Sequence, residues 1–282
     1  MLRTLAGHGI FAEDDAGRIE LTPRAQVLRS DHPDSVRDLL SLEWQNIYWE
    51  TFRALPEAVG SGEIAFERAF GQGFFDYLKD HPKVNAIFDR RMARVSLAEN
   101  AKIVEAYSFA DFSRIIDIGG GRGGLLVAIL EQFPNLSVAL YEQSQVLVDP
   151  ADLIRAGLHD RVELIAGDFF SEVPEGADLL LMKRIIHDWD DARAVQVLKC
   201  CQRAMDEHSR LLVIDALMKP GNEPDPNKDM DLGIMALTPG KERTEAEFSA
   251  LLKQAGLRLA GIVATQAPST LSILEARRAN DR

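Results

Sequence analysis

Residues 117–126 read DIGGGRGGLL: an aspartate, glycines at 119, 120, 121, 123 and 124, and then a return to apolar residues. Glycine tolerates positive φ and has no Cβ, so such a run lets the main chain close around a ligand. RIIDI precedes it and LLVAIL follows, giving strand, turn and helix, with the helix's first N–H groups free to meet an anion. Gly119, Gly121 and Gly124 fall at the G-x-G-x-x-G spacing of a nucleotide-like cofactor site. The anion could be a pyrophosphate or a carboxylate; the glycines alone do not choose. Glu142 closes the next apolar run and suits two ribose hydroxyls, while excluding a 2′-phosphate. Asp168, in AGDFF, brings a further acid after the next run, and Asp117 stands beside the glycines. Three acids favour a cofactor with cationic groups over a pyrophosphate. The other reactive residue is His187, in LLLMKRIIHDWDD, where an imidazole titrating near neutrality suits a general base.

These residues need a scaffold that brings them to one edge. Short β-branched or Leu-rich runs at 114–118, 137–141, 162–166, 178–182 and 211–215 alternate with helical stretches, which predicts a parallel sheet covered on both faces. Asp117, Glu142, Asp168, His187 and Asp215 then fall at or near the carboxyl ends of successive strands, where ligands of such sheets bind. The tail differs: LRLAGIVAT and STLSILEAR are joined by only a few residues, so they must pair antiparallel. Residues 35–108 read as helical, with Leu40, Trp44, Tyr48 and Phe52 as one stripe at spacings of four. A long helical run follows, with Ile87, Met92, Val95, Ile103 and Val104 among its apolar positions. The chain therefore divides at about residue 108, into 1–108 and 109–282.

From Asp117 the loop also spells D-x-G-x-G-x-G, which resembles motif I of the S-adenosylmethionine methyltransferases. KRIIHDW is similar to the K/R-x-x-x-H-D-W signature of the plant caffeate-type and bacterial secondary-metabolite O-methyltransferases. GKERT resembles the same family's G-(K/R)-E-R-T segment, and GIFAEDDAGRIELTPRAQVLRSD its winged-helix module. The resemblance runs the whole length of the chain. It implies an α/β fold: a Rossmann-like, seven-stranded S-adenosylmethionine-binding domain (109–282), preceded by a partial winged helix and a helical dimerisation and substrate-lid region (1–108). It further implies Asp168 for the adenine amino group, Phe169 packed on the ring, Asp117 for the methionine ammonium, and Lys183 close to the cofactor. His187 takes the base's place, oriented by Glu242 and by Asp215, where the family commonly has Glu. Trp189 is expected near the cofactor edge and on the substrate side, together with Met92 and Met235, which match positions that face a flat aromatic substrate. Asp188 and Asp190 are expected as cap and surface residues of the following helix.

Composition narrows the partners. The formal charge of −12 and the lack of a basic run disfavour nucleic acid and anionic membrane. No apolar stretch approaches membrane-spanning length. Cys200 and Cys201 are adjacent on a predicted helix, fitting a reducing, cytoplasmic compartment rather than a disulfide scaffold. No Cys/His spacing suggests a metal site, so none is expected. The expected partner is a small hydroxylated aromatic molecule. Family members form an intertwined homodimer through an N-terminal segment, and this chain opens inside the winged helix, after that segment. Two alternatives stand beside methyl transfer to oxygen: a relative that binds S-adenosylmethionine with altered or lost transfer, and an NAD-dependent oxidoreductase. The terminal hairpin and Asp168 weigh against the latter.

Overall fold

The computed structural model describes residues 1–32, 35–37 and 40–279. The chain opens with α1 (Leu2–Gly7) and a two-stranded antiparallel sheet, β1 (Phe11–Glu13) and β2 (Ile19–Leu21). Four helices follow: α2 (Leu42–Ser61), α3 (Ala65–Phe70), α4 (Phe74–Asp80) and α5 (Pro82–Ala106). The sheet region then alternates β3 (Arg114–Ile118), α6 (Gly124–Gln132), β4 (Ser137–Glu142), α7 (Ser144–Leu147), α8 (Ala151–Arg155), β5 (Val162–Ala166), β6 (Leu179–Lys183), α9 (Asp191–Ala204) and β7 (Arg210–Ala216). It ends with α10 (Pro226–Leu237), α11 (Glu245–Gln254), β8 (Leu257–Ala264) and β9 (Leu271–Arg278).

The seven strands lie in the order β5-β4-β3-β6-β7-β9-β8. Strands β3 to β7 pair in parallel, whereas β9 pairs antiparallel with both β7 and β8. The sequence-predicted strands and terminal hairpin are present, with ends displaced by a residue or two. Burial on both faces explains the nearly continuous apolar runs. Ile116, Leu180, Met182, Leu211 and Val213 pack on one side with α9 and α11. Ile115, Leu179, Leu181, Leu212 and Ile214 face the other way, against α6 and the end of α5 at Ile103 and Val104. The period of two along each strand makes this division.

The front helices hold an aromatic cluster. Trp44 stacks on Phe88 (centroids 5.7 Å apart), and Arg91 lies 4.7 Å over the Trp44 ring. Tyr48 contacts Trp44 edge-on and stacks on Phe52, as the stripe predicted. Leu40 is not part of it. The Ser41 hydroxyl accepts the Trp44 N–H and starts α2 at Leu42, leaving Leu40 outside the helix and exposed. Val95 likewise faces outward from α5. Two helices join the front to the sheet: α5, continuous over 25 residues, and α10, whose Ala236 and Leu237 pack into the front clusters.

Candidate active site

Between β3 and α6 the glycine loop turns on three left-handed residues, Gly119, Gly121 and Gly123, at φ of 67°, 58° and 85°. A Cβ on Gly120 would strike the Asp117 carboxylate, and one on Gly119 would meet Ile185 at 2.6 Å. Asp117 is 1% exposed, and neither carboxylate oxygen has a hydrogen-bond partner among the described residues. Burial pushes its pKa up to about 7; nearby Glu142 adds to the rise and Lys183 opposes it. A buried, unpartnered acid against a bare glycine loop is a place for a cationic amino group. Glu142, at the end of β4, accepts the Gly121 N–H at 3.2 Å and the Gln143 N–H at 2.7 Å. Asp168 is exposed beyond β5 and takes the Phe170 N–H at 3.0 Å and the Ser171 hydroxyl at 3.2 Å. Phe169 is half-buried and flanks Gly119. Acids at three strand ends, a bare loop and an aromatic face fit S-adenosylmethionine.

After β6, the strand next to β3 in the sheet, a short turn carries His187, 5% exposed. Its Nδ1 is 2.9 Å from Glu242 Oε1, so the carboxylate accepts an Nδ1–H and leaves Nε2 as the proton-accepting nitrogen. Asp188 Oδ1 stands 3.6 Å from Nε2. Burial acts to lower the His187 pKa, but Asp188, Asp215 and Glu242 outweigh it and raise the value to about 9. The imidazole is therefore a stronger base than its sequence context implied, and it is mostly charged at neutral pH. Asp188 is no surface residue: it faces the histidine from a half-buried site, and burial raises its own pKa. Asp190 caps α9 as expected, accepting the Arg193 N–H.

Asp215 is fully buried at the end of β7, and its oxygens have no hydrogen-bond partner among the described residues. Burial raises it to about 7, with Glu242 adding and His187 opposing. It acts on His187 through charge, while Glu242 holds the ring. The second Glu242 oxygen is also unpartnered among the described residues, and its main-chain N–H donates to Asp231 at 2.8 Å.

The loop that brings Glu242 to His187 is fixed by its neighbours. Any Cβ on Gly240 would overlap the His187 carbonyl oxygen. Arg243, fully buried, donates to the carbonyls of Ile186 (3.0 Å) and Trp189 (2.8 Å), which bracket His187, and to Asp191 (2.9 Å). Its place within GKERT gives no local sign of this task.

The remaining expected residues are spread more widely. Lys183 ends β6 beside the glycine loop and donates to Ser96 Oγ and to Asn100 Oδ1 (2.8 Å) of α5. Trp189 packs edge-on against Phe170 at 4.7 Å, and Phe170 in turn lies 4.9 Å from Phe169. It thus reaches the cofactor side only through two other rings. Met92 is half-buried on α5, and Met235 is 42% exposed on α10. Glu99 and Arg184 went unread. Their signal was a polar Glu-Asn pair on the otherwise buried face of α5, and a second cation directly after Lys183.

An O-methyltransferase domain family matches residues 52–258. The phenazine O-methyltransferase of Lysobacter antibioticus is 38% identical over 281 residues, covering 98% of this chain and 81% of that protein. The mitomycin biosynthesis 6-O-methyltransferase of Streptomyces lavendulae is 37% identical, covering 99% of this chain and 80% of that one. A solved O-methyltransferase from neocarzinostatin biosynthesis, in complex with S-adenosylmethionine and 2-hydroxy-5-methyl naphthoic acid, is 30% identical. It superposes with a TM-score of 0.80, covering 98% of this chain and 83% of its own.

Proposed function

The chain belongs to the O-methyltransferase family and is an S-adenosylmethionine-dependent O-methyltransferase; from that premise we propose that it methylates a hydroxyl of an aromatic small molecule, with His187 as general base. S-adenosylmethionine supplies the electrophilic methyl group when bound. Asp117 holds its ammonium, Glu142 its ribose hydroxyls and Asp168 its adenine amino group, with Phe169 against the ring and Lys183 balancing Asp117. His187 Nε2 removes the hydroxyl proton while Glu242 keeps Nδ1–H directed away from the acceptor. A phenol has a pKa near ~10, close to that of the raised imidazole, so the proton moves between nearly matched groups. Holding the oxygen in line with the methyl group lowers the rest of the barrier. Met92, Met235 and Trp189 are proposed for the acceptor side, where a polarisable thioether suits a flat ring.

The observation that carries this reading is the buried His187–Glu242 contact at the same sheet edge as the unpartnered Asp117. The relatives are a phenazine O-methyltransferase and a mitomycin biosynthesis 6-O-methyltransferase, and the solved one holds a hydroxylated naphthoic acid. Hydroxylated polycyclic aromatics are therefore the first acceptors to try. The test is isothermal titration with S-adenosylhomocysteine alongside a methyl-transfer assay. Wild type binds and transfers; Asp168→Ala loses binding at least tenfold; His187→Ala binds as wild type and transfers at least about a hundredfold more slowly. Full transfer by a folded His187→Ala protein removes the base from the proposal.

A further inference from the structure

Helix α5 docks on the sheet edge through buried polar groups. Ser96, Glu99 and Asn100 occupy one face at spacings of three and four. Glu99 is 4% exposed and Asn100 2%. Opposite them stand Lys183 and Arg184, each with only 10% of its side chain exposed. The Arg184 guanidinium forks onto Glu99, with Nε 3.2 Å from both oxygens and Nη2 2.5 Å from Oε1. Arg184 itself sits at φ 55°, the one non-glycine residue with positive φ among those described. Such a conformation is unfavourable for a residue with a Cβ and persists where its surroundings enforce it. Its main-chain N–H donates to the Ile214 carbonyl at 3.0 Å, one residue before Asp215.

We propose that Glu99 is a positioning residue that joins the seating of helix α5 to the protonation of His187, by fixing the guanidinium of Arg184 beside the carboxylates that surround the imidazole. The inference rests on His187 being the base. The charges involved come from every element at this corner. Asp188 and Arg184 lie on the β6–α9 turn, Asp215 on β7, Asp231 on α10 against the Glu242 main chain, Glu242 on the loop before α11, and Glu99 on α5. Lys183 faces Glu99, Asp117 and Arg184. Arg184 is the cation that Asp215, Asp188 and Glu242 share, and Glu99 divides its charge. Neutralising Glu99 leaves more positive potential at His187, so the imidazolium loses protection. Removing Arg184 acts in the opposite direction. A buried ion pair serving stability alone predicts neither shift.

The experiment is an NMR titration of the six histidines in the full-length protein, with His187 assigned from the His187→Ala variant. It is run on wild type, Glu99→Gln, Glu99→Asp and Arg184→Met, beside melting temperatures and pH–rate profiles. Glu99→Gln lowers the His187 midpoint by about half a unit or more, roughly threefold in proton affinity. Glu99→Asp keeps the charge and stays within about 0.2 units of wild type. Arg184→Met raises the midpoint, and this decides the matter if Glu99→Gln does not fold. An unchanged midpoint in folded Glu99→Gln, or shifts of the same sign in Glu99→Gln and Arg184→Met, overturns the proposal. A midpoint that moves while the pH–rate limb stays fixed supports the coupling and counts against His187 as the base.

Discussion

At His187 the chemistry and the electrostatics can be tested together. Three carboxyl groups raise its pKa to about 9, so the proton-accepting form grows as pH rises toward that value. Methyl transfer measured in single turnovers should climb close to tenfold per pH unit below it and then level off. His187→Ala should abolish that limb and lower the rate constant by about 10²–10⁴-fold. Asp215→Asn withdraws one carboxylate, and the midpoint of the profile should fall by about one unit; an unmoved midpoint would mean that Asp215 does not reach the imidazole. The types and spacing of Asp117, Glu142, Asp168 and His187 could be read from the sequence because each lies at or just past the carboxyl end of a strand on the same edge. The direction of the His187 shift could not. It arises from Asp188, Asp215 and Glu242, brought together from three segments, and pairwise burial of that kind leaves no local pattern.

At the scale of elements, the loop over 239–244 governs the site without supplying the base. Gly240 lies against the His187 main chain, so Gly240→Ala must force the loop away. The expected outcome is a stability loss of about 1–3 kcal/mol by urea denaturation, with a larger fall in kcat than that loss explains. Arg243→Met leaves the Ile186 and Trp189 carbonyls without their buried donor. That costs about 1–3 kcal/mol per unsatisfied group, and it should destabilise the protein while S-adenosylhomocysteine affinity changes little. Strand periodicity located the sheet to within a residue or two because burial on both faces imposes continuous apolar runs. Helix starts were less legible. The spacing of Leu40 matched the stripe of Trp44, Tyr48 and Phe52, but the Ser41 cap began the helix after it. A cap is one hydrogen bond, and a stripe cannot reveal it.

For the molecule as a whole, cofactor binding should appear as stability. A ligand at about 100 times its Kd adds about 2.7 kcal/mol, worth a rise of roughly 4–5 °C in Tm for a chain of this size. S-adenosylhomocysteine should give that rise in wild type and in His187→Ala, and little of it in Asp168→Ala, read by scanning calorimetry. The overall architecture was legible because alternation of strands and helices, and a hairpin too short for a crossover, left few other topologies. The docking of α5 was not: it depends on Glu99 meeting Lys183 and Arg184, residues more than eighty positions away. The placing of the last strand has one more consequence. β9 enters between β7 and β8, and Asp215 is paired in register with Ser272. During synthesis, then, β7 emerges from the ribosome long before the neighbour that completes its hydrogen bonding. Until β9 has emerged as well, Leu211 to Ala216 remain an open edge, and the corner around His187 can close only once that strand is in place.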